Sequence, residues 1–490
     1  MNVSDSHVFH GSGWQHPYPV AEYGKGIYRS TAKVAIDQGI HQRRTDLLVT
    51  RVLRSIRSDF CGTAIYLYDS DGKCYLDAIA GTHVVSIGHG VEEVADAMAA
   101  EARKLSFVNK GQFTTQVQED LADVVAAMAP TGMTRVTFPN GGSLANELAL
   151  LVAQQYHKER GKPSKVKMIS RWHSYHGRTL ATAAMSGSVA IRQSIAPYDL
   201  GFPHIQAPHC YQCPLHLTFP SCQLACADDL ARTLEQEGPD SIAAFIAEPI
   251  VGGSGSGITP PPGYYERIRE ICDFYDILFI SEEVITGFGR TGKNFGIDHW
   301  NTIPDIITST KALSSGYAPI GAIIFHQRIW DTFVNGKRKM VPAFTTYSGH
   351  PSSCAAALAV QKYIAEHQLI DRCAKMGDYL KAQFEKLAER EPLIGDVRGK
   401  GLMIGIEFVQ DRATHKPFAR SHQLIEKIVR TGLENGLILR GRPGTGVGAA
   451  GDHTLISPPF IITESQCDEL IERFETTLKQ VKQSSNLTTV

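Results

Sequence analysis

Five short apolar runs punctuate the middle of the chain, and each ends on residues that a hydrophobic core would reject. The runs are Arg135–Phe138, Val166–Ser170, Ile242–Ala247, Leu278–Ser281 and Ile306–Ser309. Each is rich in β-branched or aromatic residues and is parted from the next by turns or helical patterns, which predicts buried strands alternating with helices. That alternation, from about Val91 to Ile324, implies an α/β domain around a central, mostly parallel sheet. In open sheets of this kind ligands sit beyond the carboxyl ends of the strands. Whatever follows each run therefore belongs at one edge.

The first run is followed by Asn140-Gly141-Gly142-Ser143 and then by a helical stretch, Leu144 to Arg160. Small residues at a helix N-terminus leave backbone N–H groups open to an anion, and the helix dipole favours one there. The second run leads into Arg171-Trp-His-Ser-Tyr175-His176-Gly177, which offers aromatic rings. Glu248 follows the third run, Glu282 and Glu283 the fourth, and Lys311 the fifth. Taken singly, these are ordinary: glycine-rich turns are common for steric reasons, and a lysine near acids is usually a surface ion pair. Their convergence is what calls for chemistry.

The remaining chain frames that edge. Asp69-Ser-Asp-Gly72 is a turn signal, and Ala64 to Tyr68 before it reads as one strand of a hairpin. Gly401 to Val409 reads as a strand, as does Leu437 to Arg440. The last helix opens with a capping box, Thr463-x-x-Gln466. The expected organisation is an N-terminal arm with part of a small domain over 1–85, a large domain over 86–351, and the rest of a small α+β domain over 352–490. The small domain thus draws on both chain ends. A formal net charge of −1 removes the basic footprint of a nucleic-acid binder. No run approaches the ~18 apolar residues of a membrane span. Met1 to His10 has no apolar stretch of the secretory kind, and 10 cysteines in 490 residues are too sparse for a disulfide scaffold. A reducing, cytoplasmic setting follows as the expectation. Gln42 to Arg57 carries five arginines against apolar residues at helical spacing and reads as a surface helix with a solvated face.

Two signals invite over-reading. Gly446-x-Gly448-x-x-Gly451 matches a dinucleotide fingerprint by letter, but the strand before it ends too early and Asp452 to Ser457 after it is not helical, so a glycine-rich loop is expected. Cys210, Cys213, Cys222 and Cys226 form two close pairs near His209 and His216. Their spacing departs from common zinc patterns, and we expect buried free thiols in a structural insertion, with no metal.

The motifs, in order, resemble the class III aminotransferases, a family of PLP fold type I that works on pyridoxal 5′-phosphate (PLP). The resemblance rests on Asp71-Gly72 through Tyr75-Leu76-Asp77 with Gly81 and Gly88-His89, on Phe138-Pro-Asn-Gly-Gly-Ser143 with Ala145-Asn146-Glu147, and on Tyr175-His176-Gly177. It continues through Glu282-Glu283-Val284-Ile285-Thr286-Gly-Phe-Gly-Arg-Thr-Gly292, Asp305 to Lys311, and Thr346-Tyr347-Ser348-Gly349-His350-Pro351. These landmarks span about residues 62 to 460. The resemblance implies that Lys311 holds the cofactor as a Schiff base and moves the catalytic proton. Glu282 would keep the pyridine nitrogen protonated, Tyr175 and Val284 would cover the two ring faces, and Gly142 and Ser143 would bind the phosphate. Thr346 would reach the phosphate of the partner subunit in a homodimer. Arg440, His83 and Glu248 are the expected substrate contacts, with Arg440 as a carboxylate receptor and Arg442 as its rival. Glu282 stands where the family usually has aspartate, Gly141 where it has serine and Leu144 where it has glutamate. The implied reaction is amino transfer between an amine or ω-amino acid and a 2-oxo acid such as pyruvate. The alternatives are another PLP reaction on the same scaffold (decarboxylase, racemase, aminomutase or phospho-lyase) and a catalytically silent binding homologue.

Overall fold

The computed structural model describes residues 61–444 and 451–485. The basic stretch 42–57, and most of the glycine-rich loop that carries Gly446 and Gly448, lie outside these residues.

Strand formation begins where turn chemistry allows it. Strands β1 (Cys61–Thr63), β2 (Tyr66–Tyr68) and β3 (Cys74–Asp77) run as an antiparallel meander. Its second turn closes at Gly72, whose φ of +79° suits glycine. The central sheet is built from β4 (Met133–Thr137), β5 (Lys167–Arg171), β6 (His204–Ile205), β7 (Ile242–Ala247), β8 (Leu278–Glu283), β9 (Ile306–Ser309) and β10 (Ala322–His326). Their order is β4-β10-β9-β8-β7-β5-β6. Only β10 runs against its neighbours, so the sheet is mostly parallel as expected.

Burial explains why the middle strands are so apolar. All six residues of β7 and of β8 are buried, because helices cover both faces of a parallel sheet. Along β8 the period of two divides the side chains between two cores. Phe279 enters one cluster with Phe245, and Leu278 and Ile280 enter the other with Ile246. Cutting Phe279 back to alanine would cost roughly 3–5 kcal/mol, since the packed surroundings collapse only partly.

The C-terminal part adds β11 (Ile394–Gly399), β12 (Ile404–Phe408), β13 (Leu437–Ile438), β14 (Gly441–Pro443) and β15 (Asp452–Ile456). Four of these form a sheet ordered β11-β12-β15-β14, while β13 leaves it and pairs in parallel with β3. That pairing joins Leu437 and Ile438 to Leu76 and Asp77, far apart in sequence. The helix Pro351–Glu366 packs on the helices Glu92–Lys104 and Gln116–Met128. The final helix, Glu464–Ser485, is capped as its sequence predicts: Thr463 N–H donates to Gln466 Oε1 at 3.0 Å, and Gln466 N–H to Thr463 Oγ1 at 3.3 Å. Among the described residues no helix is long and apolar enough to cross a membrane.

Candidate active site

The edge begins at the helix that follows β4. It runs Gly142–Glu159, with Gly141 as its N-cap residue, two residues ahead of the sequence expectation. Its first intrahelical acceptor bond is Ala145 N–H to Gly141 O at 2.9 Å, so the amides of the first turn are free to serve an anion. A Cβ on Gly142 would stand 3.0 Å from Val284 Cγ2 and 3.3 Å from Thr310 Cγ2. Glycine is therefore what lets the cup approach the ends of β8 and β9. Ser143 Oγ accepts from Arg178 N–H at 3.2 Å, which draws the 175–178 segment against the same cup.

Two acids occupy the ends of β7 and β8. Glu282 Oε1 accepts from Val284 N–H at 2.8 Å, and its Oε2 lies 3.2 Å from His176 Nδ1. Burial pushes Glu282 up to about 7, against the pull of that amide and of Lys311. Glu248 is raised to about 7 by burial and by the charge of Glu282. Its two oxygens are both held by backbone, accepting from Tyr175 N–H at 3.0 Å and Gly252 N–H at 2.8 Å. Glu248 thus fixes the loop that carries Tyr175. His176, buried between the acids, is lowered to about 4 by burial and is neutral.

Lys311 follows β9 at φ +46°, a left-handed conformation that is strained for a residue with a side chain. It stays partly exposed while Ala312 and Leu313 beside it are buried. Its amine is depressed to about 8, first by burial and then by Arg440 and Arg290, with Glu282 and Glu248 opposing. His83 shares these neighbours: burial, Lys311 and Arg440 hold its imidazole well below the usual range. Its Nδ1 lies 2.5 Å from Ser457 Oγ. Arg440 is itself depressed by burial, with Tyr175 opposing.

Of the residues expected from sequence, Gly142, Ser143, Tyr175, Glu248, Glu282, Val284, Lys311, His83 and Arg440 come together. Thr346 stands apart, exposed in the turn at 346–349. The cysteines differ from expectation: Cys210 is exposed and Cys213, Cys222 and Cys226 are half-buried, because the insertion lies on the surface and is held by neighbouring groups. Among the described residues no group of three or more histidine, cysteine or acidic side chains is arranged to hold a metal ion.

Three members of the site escaped sequence reading. Arg171, fully buried at the end of β5, donates to the Glu248 carbonyl and to Tyr265 Oη. Arg290 is fully buried with Nη1 on the carbonyls of Leu402, at 3.0 Å, and Pro458, at 2.6 Å. Asn146 accepts from Thr308 Oγ1 at 2.6 Å and donates to the His176 carbonyl at 2.8 Å, so it stitches the helix to β9 and to the ring loop. The available signal was a charged residue closing an apolar strand, as Arg171 does.

Comparison with known proteins agrees with this geometry. The family model for aminotransferase class III matches residues 61–478. The uncharacterized aminotransferase YodT of Bacillus subtilis is 39% identical over 419 residues, covering 86% of this chain and 94% of that protein. Putrescine–pyruvate aminotransferase of Pseudomonas aeruginosa is 36% identical over 410 residues, with 83% and 87% covered. Among solved structures, the ω-transaminase of Pseudomonas jessenii in complex with PMP superposes with a TM-score of 0.83 at 32% identity, covering 93% of this chain and 98% of the other. Helix N-terminus, paired acids and lysine thus stand at the strand ends of a fold that these enzymes share, and the chain belongs to the class-III aminotransferases.

Proposed function

We propose that this aminotransferase moves an amino group between an amine or ω-amino acid and a 2-oxo acid such as pyruvate, using PLP held at Lys311, and that it works as a cytoplasmic homodimer. One observation carries the reading: a lysine amine brought down to about 8 shares a strand-end edge with a buried carboxylate, Glu282, and a free helix N-terminus.

The residues present fit the cofactor. The first-turn amides at Gly142 and Ser143 suit a phosphate. The Glu282 carboxylate is only 3% exposed and suits a ring N–H⁺, where a charge-assisted hydrogen bond is strong. When bound, PLP supplies an electron sink for the bond broken at the substrate carbon. The chain supplies the rest. At neutral pH a lysine near 8 has an appreciable neutral fraction, so Nζ would hold the cofactor and could take up and return a proton at the substrate carbon. Glu282 holds a proton at the ring nitrogen. Tyr175 and Val284 orient the ring from its two faces, the first through the loop that Glu248 anchors. Glu248 is in this reading a positioning residue rather than a substrate contact, since both its oxygens serve backbone amides. His83, neutral and fixed on Ser457, walls the substrate side. Arg440 receives the oxo-acid carboxylate. The exposed Phe107, Phe344 and Tyr347 around Thr346 support an interface that brings Thr346 to a partner's phosphate cup.

The test is spectroscopic. The purified enzyme should absorb in the visible, bleach with an amine donor and recover with pyruvate. Borohydride should fix the cofactor's mass on the peptide that contains Lys311. Absence of that adduct would sink the proposal. Arg440→Ala should slow recovery by the oxo acid far more than bleaching by a carboxylate-free amine.

A further inference from the structure

An arginine stands on either side of Gly441, Arg440 just before strand β14 and Arg442 within it, and the glycine tells which way they face. A Cβ on Gly441 would stand 2.0 Å from Ile425 Cγ1, so that side of the strand is closed by the helix Leu424–Glu434. Side chains alternate along a strand, so Arg440 and Arg442 leave from the opposite side. The backbone is firmly held there. Arg442 is paired with His453 on β15, Thr454 Oγ1 donates to the Arg440 carbonyl at 2.9 Å, and His173 Nδ1 lies 3.0 Å from the Gly444 carbonyl. The last contact ties the end of β14 to the loop bearing Tyr175.

Neither guanidinium has a hydrogen bond or ion pair among the described residues. The other arginines withdrawn from solvent are engaged: Arg171, Arg290 and Arg372 on carbonyls, Arg269 on Asp305, Arg398 on Glu407 and Arg420 on Asp452. Two cations left unpartnered side by side repel each other. Burial and the charge of Arg440 accordingly depress Arg442 to about 10. The cations also follow an order. Both act on His83, but Arg440 also acts on Lys311, whereas Arg442 acts on His453 and itself feels Arg178.

We infer that Arg442 forms an outer anion subsite of the substrate pocket, which takes an acidic group at the far end of a substrate whose near carboxylate, or whose amine, is handled at Arg440 and Lys311. The ligand class is a distal carboxylate. It can come from the donor, as in a long ω-amino acid, or from the acceptor, as in a 2-oxo dicarboxylic acid. Two strand residues advance about 6.6 Å, a separation that suits an acid group several carbons beyond the first. Arginine suits the task because its planar fork binds carboxylate bidentately. The inference rests on the transaminase reading above and adds a determinant of substrate choice to it.

The experiment is a half-reaction comparison on the holoenzyme, with paired substrates that differ in the distal acid. The donors are 6-aminohexanoate and hexylamine; the acceptors are 2-oxoglutarate and pyruvate. In Arg442→Ala, the ratio of kcat/KM for the acid-bearing member to that for its partner should fall roughly 100-fold, the loss expected when a buried charge pair loses one side. Arg442→Lys should restore part of it. A fall confined to 6-aminohexanoate assigns the subsite to donors, and one confined to 2-oxoglutarate assigns it to acceptors. If both ratios stay within about twofold of the parent, Arg442 is no anion subsite, whatever happens to overall activity. A parent enzyme inactive with every donor, with no cofactor adduct at Lys311, would overturn the transaminase reading and this inference with it.

Discussion

Two regions of the molecule crowd polar groups together and handle the cost in opposite ways. Behind the surface insertion at 209–226, on β11 and β12, the charged groups are paired, while His209 and the Tyr211 hydroxyl within it are buried without hydrogen bonds. Gln212 Nε2 donates to Glu407 Oε1 at 2.6 Å, Arg398 Nη1 reaches Glu407 Oε2 at 2.6 Å and Asp396 Oδ2 at 2.8 Å, and Tyr211 stacks on His415 at 4.1 Å. At the sheet edge the charges are under-matched. Glu282 and Glu248 are pushed up to about 7, Lys311 down to about 8, and Arg440 and Arg442 go without partners among the described residues. Matched groups hold a surface in place. Among the under-matched ones, the two acids and the lysine are poised to exchange protons while the two arginines stay charged and open to an anion, and that condition marks a working site.

The contrast predicts that changes at the edge act on turnover and changes at the insertion act on folding. The largest effect belongs to Lys311. Lys311→Ala should lower turnover by about 10⁴-fold or more, since both the cofactor bond and the proton carrier are lost. Residual transamination within tenfold of the parent would mean that another amine carries the reaction. Glu282→Gln comes next, at roughly 10²- to 10³-fold, because an amide cannot hold the charged ring nitrogen. Glu282→Asp should keep most activity, and an inactive Asp variant beside an active Gln variant would reverse the argument from charge.

At the insertion, Glu407→Ala should cost about 3 kcal/mol of stability, since Arg398 stays buried with fewer partners. Urea unfolding would read this as a lower midpoint at unchanged slope, with kcat little altered in the folded fraction. A drop in kcat at unchanged stability would break the division between the regions. A smaller effect concerns pH. Lys311 must be neutral to bond PLP, so uptake of PLP by the stripped enzyme should rise with pH, with its midpoint near 8. Arg440 is one of the cations that depress Lys311, so Arg440→Ala should move that midpoint upward. A midpoint that moves down would contradict the electrostatic account.

What sequence showed of these regions follows from how local the signal is. The strand runs, Lys311, Glu282 and the glycine cup are local patterns, and the structure keeps them within one or two residues. The helix opens at Gly142 rather than Leu144 because glycine, poor inside a helix, is tolerated in its first turn. The rest is non-local. Strand β14 is Gly-Arg-Pro and reads as loop; it becomes a strand only through its pairing with β15. Arg171 and Arg290 look like surface charges until the carbonyls they serve, far away in sequence, are brought to them. Glu248 stands at the strand end that sequence indicates, and its bonds from the Tyr175 and Gly252 amides, which hold the loop, are visible only in three dimensions.

The smallest effect should come from the cysteines, and it sharpens the comparison most cheaply. Cys210, exposed, and Cys226, half-buried, are both raised above the usual thiol range, Cys226 to about 12, by burial and by the other cysteines of the insertion. Thiols so raised are poor nucleophiles at neutral pH, since attack needs the thiolate. The insertion is instead held by Gln212, Tyr211 and His415, none of which needs a sulfur. Replacing Cys210 and Cys213 by serine together should therefore change stability by no more than about 0.5 kcal/mol, as surface substitutions do, and leave turnover within about twofold. Elemental analysis of enzyme prepared without chelator should give no stoichiometric zinc. One zinc per chain, absent from the serine variant and accompanied by a fall in its unfolding midpoint, would put the insertion among metal-built structures and end its reading as a surface held without sulfur.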